Sequence, residues 1–137
     1  MKLHQQLTAN VNTIRAFEQG CITINNEPCH NSIIVTADRL EKNWYIESPE
    51  QLTTETIREL LDYQPDIILI GTGNKHHLLD PLLSLEAIQQ GTGIEIMTTE
   101  AACHTYNILL GEDRLVLAAL IIEKWFQVEN YSSVSIV

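Results

Sequence analysis

The sequence predicts an α/β fold built on a largely parallel sheet, with a β-hairpin region ahead of it. Ile67-Ile68-Leu69-Ile70 is a continuous apolar run between Pro65 and Gly71, the pattern of a strand covered on both faces. Two further apolar runs, Ile94 to Met97 and Leu115 to Ile121, follow at intervals filled by helix signals. Strands that alternate with helices imply β-α-β crossovers, and so parallel strands with helices packed against them.

In chain order, Leu3, Leu7, Val11 and Ile14 recur at helical spacing and predict a frayed terminus or a short leading helix, an arm expected to dock on the body or on a neighbouring copy. From Cys21 to Ile46 the pattern turns strand-like. Ile22 and Ile24 alternate with Thr23, Asn25-Asn26 supplies a turn, and Ile33-Ile34-Val35 is a β-branched run. These predict a hairpin followed by a third strand at Trp44-Tyr45-Ile46. Ser48-Pro49-Glu50-Gln51 then opens a helix or helical turn, with a capping serine, a proline that needs no partner for an amide, and a glutamine able to reach back. A helix through Ile57, Leu60 and Leu61 follows and stops before Pro65.

After the central strand, Asp80-Pro81 starts a second helix, for which Leu82, Leu85 and Ile88 are the expected buried face and Gly91 the end. Thr98 or Thr99 caps a third helix running to about Leu110, and Gly111 ends it. Gln127 to Val137 reads as a polar tail with one further strand at most.

With 137 residues, 45% of them hydrophobic and 19% charged, the chain is long enough to bury a core and is expected to form a single domain over 1–137. Eight basic against 18 acidic residues give a net charge of −10, which opposes the phosphate neutralisation behind nucleic-acid binding. The acids are dispersed, as on a solubilising surface. Three cysteines without a C-x-x-C spacing fit a reducing cytoplasm, and no apolar run approaches the roughly 18 residues of a membrane span.

The chemistry-bearing residues collect late in the chain. Gly71-Thr72-Gly73-Asn74 follows the buried strand, where open α/β sheets usually bind ligands, and two glycines leave backbone amides free to approach an anion. The loop reads equally as a structural turn. It lacks the third glycine of the dinucleotide fingerprint, and Met97 ends the next strand where a ribose-binding acid belongs. Thr105-Tyr106-Asn107 is a polar stretch in an otherwise apolar helix, and an interior Asn needs a specific partner. Arg114 either pairs with Glu112 or reaches an anion. His76, His77, Asp80, Cys103 and His104 are the only residues suggestive of a metal, but their spacing does not chelate one ion, so no metal and no cofactor is expected. No G-x-S-x-G elbow is present, Cys103 reads as a packed residue, and no catalytic residue is assigned.

Several of these motifs together resemble a known family. Gly71-Thr72-Gly73 after an apolar strand, Gly91 to Met97, Thr98 through Ala102 to Thr105-Tyr106-Asn107 and Leu109, and Glu112-Asp113-Arg114 resemble the small domain of unassigned function shared by an archaeal founding member, the third assembly factor of mitochondrial respiratory complex I and an adipogenesis-associated mammalian protein. The resemblance spans about residues 15–122, leaving 123–137 as a polar tail. His104 stands where members often carry Arg, and Asp113 where they carry Gly. The resemblance implies a three-layer α/β arrangement around a mixed, mostly parallel sheet, and a binding or assembly role for the mitochondrial branch.

Two readings follow. The first is a non-enzymatic domain that binds a protein partner through one shared rim of Gly71, Thr72, Gly73, Asn74, Met97, Thr98, Thr105, Asn107 and Arg114, with self-association as a second use of apolar surface. The alternative is a small-molecule-binding protein or enzyme holding an anionic ligand on the Gly71-Thr72-Gly73 loop, with Arg114 as counter-charge and His76 or His104 as proton carrier.

Overall fold

The computed structural model describes residues 11–123. Among the described residues eight strands form two sheets. β1 (Ile14–Glu18), β2 (Cys21–Ile24) and β3 (Glu27–Cys29) make an antiparallel sheet in that order. β4 (Ile33–Val35), β5 (Leu40–Glu41), β6 (Ile67–Gly71), β7 (Gly93–Met97) and β8 (Val116–Leu120) make a mixed five-stranded sheet ordered β5-β4-β8-β6-β7. Its β6, β7 and β8 run parallel, and β4 is antiparallel to β8.

Three helices flank the larger sheet: α1 (Thr54–Leu61), α2 (Pro81–Gln89) and α3 (Thr99–Leu110). Side chains of the central strands alternate between two apolar clusters, as the period of a strand requires. Ile67, Leu69, Ala118 and Leu120 face α3 and the small sheet, meeting Ala102, Tyr106, Ile22 and Ile24. Ile68, Ile70, Leu117 and Ala119 face the other way, meeting Ile57, Leu60, Leu83 and Ala87. The architecture is therefore the three-layer α/β arrangement around a mixed sheet.

Local chemistry explains most boundaries. Gln51 accepts from the amide of Ser48 at 3.0 Å and closes a single 3-10 turn over Pro49–Gln51. α1 is a separate helix, capped by Thr53, whose hydroxyl accepts from Thr56 N at 3.2 Å. Asp80 caps α2 and Thr98 caps α3 in the same way.

Four expectations need correction. Ile14 lies in a strand and not in a leading helix, because side chains of α3 hold its backbone extended; Leu3 and Leu7 fall outside the described residues, as does the Gln127 to Val137 tail. The return strand of the hairpin is β3, while Ile33–Val35 joins the main sheet. Trp44 and Ile46 are buried but form no strand; they plug the cluster beneath α1, and the short strand is β5. Finally, α2 buries Leu83 and Ala87, leaving Leu82, Leu85 and Ile88 outside. That helix carries apolar residues on every side, so its sequence pattern does not fix which side turns inward.

Candidate functional site

At the carboxyl edge of β6, Gly71 lets α3 come close. A Cβ there would lie 2.8 Å from Thr99 Cα and 2.9 Å from Thr99 Oγ1. Thr99 uses that approach as a latch: its hydroxyl accepts from Gly73 N at 2.8 Å and donates to Ile121 O at 2.7 Å, tying the loop, the helix start and the end of β8 together. Gly73 adopts φ +97°, and a side chain at that position would collide with the carboxylate of Glu123.

The loop's amides are engaged internally. Thr72 N donates to Met97 O at 2.9 Å, Gly73 N to Thr99, and Asn74 N to Glu123 Oε1 at 3.3 Å. Thr72 Oγ1 donates to Lys75 O at 2.6 Å. Glu123 is only 7% exposed, so a carboxylate of the chain itself stands against the loop where an external anion would go. The space between this loop, Phe17, Gly20 and Glu123 is about 20 Å³, enough for one water and far below the ~300 Å³ of a metabolite pocket. His76 and His104 are exposed, and among the described residues no group of three His, Cys, Asp or Glu is placed to hold a metal.

Tyr106 and Asn107 perform a different task. The Asn107 side chain accepts from Ile14 N at 3.1 Å and donates to Ile14 O at 2.7 Å, so its carboxamide stands in for the peptide unit of a neighbouring strand on the outer edge of β1. Tyr106, fully buried, donates from its hydroxyl to Asn12 O at 2.8 Å. Asn12 in turn donates to Thr36 O and Arg39 O. The polar stretch that sequence marks as unusual is a clasp joining the small sheet to the larger one across more than 90 residues of chain. Burial pushes the Cys103 thiol up to about 12, so its thiolate is suppressed and it packs as a small apolar group.

The nine residues of the expected rim fall into three places. Gly71, Thr72, Gly73, Asn74, Met97 and Thr98 share the carboxyl edge of the sheet. Thr105 and Asn107 lie further along α3; Asn107 is eight residues beyond Thr99, roughly 12 Å along the axis. Arg114 lies two residues before β8 at the amino edge, the start of which is already about 13 Å of strand from the level of Gly71, and among the described residues it makes no ion pair with Glu112. One shared rim is thus replaced by a loop latch, a clasp and a distant surface arginine, because the helix and strands that carry these residues each run the length of the sheet. Sequence reasoning missed Thr99 and Glu123. The available signal was the glycine at the end of a buried strand, which marks close approach by another element.

Asp113 adopts φ +65°, the left-handed region that favours glycine. The resemblance implies glycine at this position, and the φ found here is one that glycine adopts without strain. It also moves the reversal after α3 from Gly111, whose φ is −70°, to Asp113.

Residues 14–121 match the family described as a protein of unknown function (DUF498/DUF598). The chain belongs to that family. A 13 kDa major membrane protein of Francisella tularensis subsp. holarctica (strain LVS) is 31% identical over 109 residues, which cover 78% of this chain and 88% of that protein. The NADH dehydrogenase (ubiquinone) 1 alpha subcomplex assembly factor 3 of Mus musculus is 35% identical over 80 residues, 57% of this chain and 43% of that protein. The DUF498/DUF598 chain therefore spans less than half the length of that assembly factor. A solved structure from Bordetella parapertussis has 32% identity and a TM-score of 0.78, covering 82% of this chain and 97% of that one. Among the described residues, no helix is long and apolar enough to cross a membrane.

Proposed function

We propose that this chain is a non-enzymatic, single-domain binding module of the assembly-factor kind, acting in a reducing compartment such as the cytoplasm, and that a protein partner docks on the outward face of α2. The observation that carries this is exposure: Leu82 is 61%, Leu85 45% and Ile88 61% exposed, with Leu78 at 93% just before the helix. Together they offer a few hundred Å² of apolar surface, the size that marks docking faces. A cleft of about 230 Å³ lined by Leu52, Leu78, Leu79 and Leu83, and also by Glu50, His77 and Asp80, lies beside them and suits a partner's anchoring side chain.

The charge selects the partner's chemistry. Exposed Glu50 and Asp80 rim the cleft and the chain carries −10, so a second copy is repelled while a different protein with an apolar ridge and basic flanks is complementary. The assembly factor among the relatives supports a protein partner over a metabolite. No observation favours the anionic-ligand reading, since the loop amides already have acceptors.

Affinity capture from lysate, comparing the natural chain with a Leu82→Lys, Leu85→Lys variant and an Arg114→Ala variant, tests the assignment. Loss of the same captured protein in the lysine variant, with retention in Arg114→Ala, is the expected outcome. Retention in the lysine variant removes α2 as the docking face.

A further inference from the structure

We propose that the free edge of β7 is a strand-addition site for an extended segment of a different protein that carries Lys or Arg opposite Glu95. This rests on the partner-binding reading above, though not on α2 as the place of contact.

Two sheets present four edges among the described residues: β1, β3, β5 and β7. An open edge is a template for pairing with another chain, and proteins usually block it. Three of the four are blocked by recognisable means. The outer side of β1 is taken at Ile14 by the Asn107 carboxamide. β3 contains Pro28, which has no amide to donate. β5 is two residues long. β7 has none of these: it is five residues long, contains no proline, and pairs with β6 without a bulge from Gly93 to Met97.

The register shows which groups wait there. Gly93 N donates to Asp66 O at 3.0 Å and Met97 O accepts from Thr72 N at 2.9 Å, so the odd-numbered residues of β7 direct their backbone groups at β6. In a parallel ladder the alternate residues point the other way. Ile94 and Ile96 therefore present N–H and C=O groups to the outer edge, while their half-buried side chains stay anchored in the cluster beneath α1 and α2. Among the described residues the edge is anchored by packing on its inner side and has no strand on its outer side.

Charge decides the occupant. Glu95 is the sole charged residue of β7 and is exposed. If a second copy paired antiparallel and used both Ile94 and Ile96, the two-fold axis would set Glu95 directly opposite Glu95, the arrangement that destabilises cross-strand pairs, on a background of −10 facing −10. A basic strand meets neither obstacle.

The test uses the full isotope-labelled chain with two acetylated, amidated heptapeptides, Lys-Val-Lys-Val-Lys-Val-Lys and its Glu-for-Lys counterpart, and reads amide hydrogen exchange residue by residue. The lysine peptide should slow exchange at Ile94 and Ile96 by about tenfold or more, with no change at Gly93 or Glu95, whose amides already face β6. The Glu95→Lys variant, changed at an exposed position, should lose that protection and gain it with the glutamate peptide. Spectral changes scattered over the acidic surface without protection at Ile94 and Ile96 overturn the proposal. So does slow exchange at both residues before any peptide is added, since the edge is then already covered. The α2 capture experiment stands apart: capture that depends on Leu82 and Leu85 while the edge stays unprotected removes strand addition alone, and protection without such dependence removes the α2 assignment alone.

Discussion

Helices α2 and α3 each follow a parallel strand and flank the same sheet on opposite sides, yet their residues are used in opposite ways. On α3, Thr99, Tyr106 and Asn107 each hydrogen-bond a segment distant in sequence, and the helix closes the loop after β6 and the entry to β1. On α2, Leu82, Leu85 and Ile88 face water, next to an α1 whose own outward positions are Glu55, Arg58 and Glu59. Arg58 and Glu86 join the two helices at 3.1 Å, so the polar surface of α1 stops where the leucine face begins. Polar groups that converge inside the molecule hold the fold, while unpartnered apolar groups are left for something outside it.

That contrast breaks if substitutions on α3 leave stability untouched. The largest effect is expected from Tyr106→Ala, which empties a fully buried site and orphans Asn12 O; chemical denaturation should show a loss of about 3–5 kcal/mol. Thr99→Val keeps the shape but leaves Gly73 N and Ile121 O without their partner, and about 2–3 kcal/mol should go by the same measurement.

Buried acids on α3 also give a pH signature. Cys103 is raised from 9.0 to about 12, so its contribution is complete below pH 9 and is lost as pH rises toward 12, when the unfolded chain ionises first. Each pH unit in that window should cost up to about 1.4 kcal/mol, and Cys103→Ala should flatten the slope seen in thermal melts at pH 9 to 11. An unchanged slope would mean that the thiol is not the group responsible.

Smaller effects sharpen the comparison. Asp113→Gly, which places glycine at a φ of +65°, should raise stability by about 0.5–1 kcal/mol in the same melts. On α2 the Leu82→Lys, Leu85→Lys pair should change stability by less than about 0.5 kcal/mol while abolishing capture of the partner. A large stability loss there would show that the leucines belong to the core after all.

Much of the fold was legible in the sequence because its signals are local. The apolar run at Ile67 to Ile70, the caps Asp80 and Thr98, and Pro65 act within a few residues of themselves, and each marks the element it was expected to mark. The pairing of Ile33–Val35 with β8 was not legible, since its partners lie about 85 residues away. The candidate site was the least readable part. Thr72, Asn107 and Arg114 looked like one rim when projected on the sequence, and only the direction of each strand and helix separates them.

Taken alone, the sequence determined the element types and their order from Pro49 to Leu120, the acidic charge and the family pattern, all of which depend on spacing and composition. The tertiary structure decided which side of α2 turns inward, that Asn107 serves Ile14, that Glu123 stands against the glycine loop, and that β7 is an edge of the sheet among the described residues. The physical reason is the same in each case: an all-round apolar helix, a side-chain amide and a strand edge have no preferred partner until packing brings one within reach.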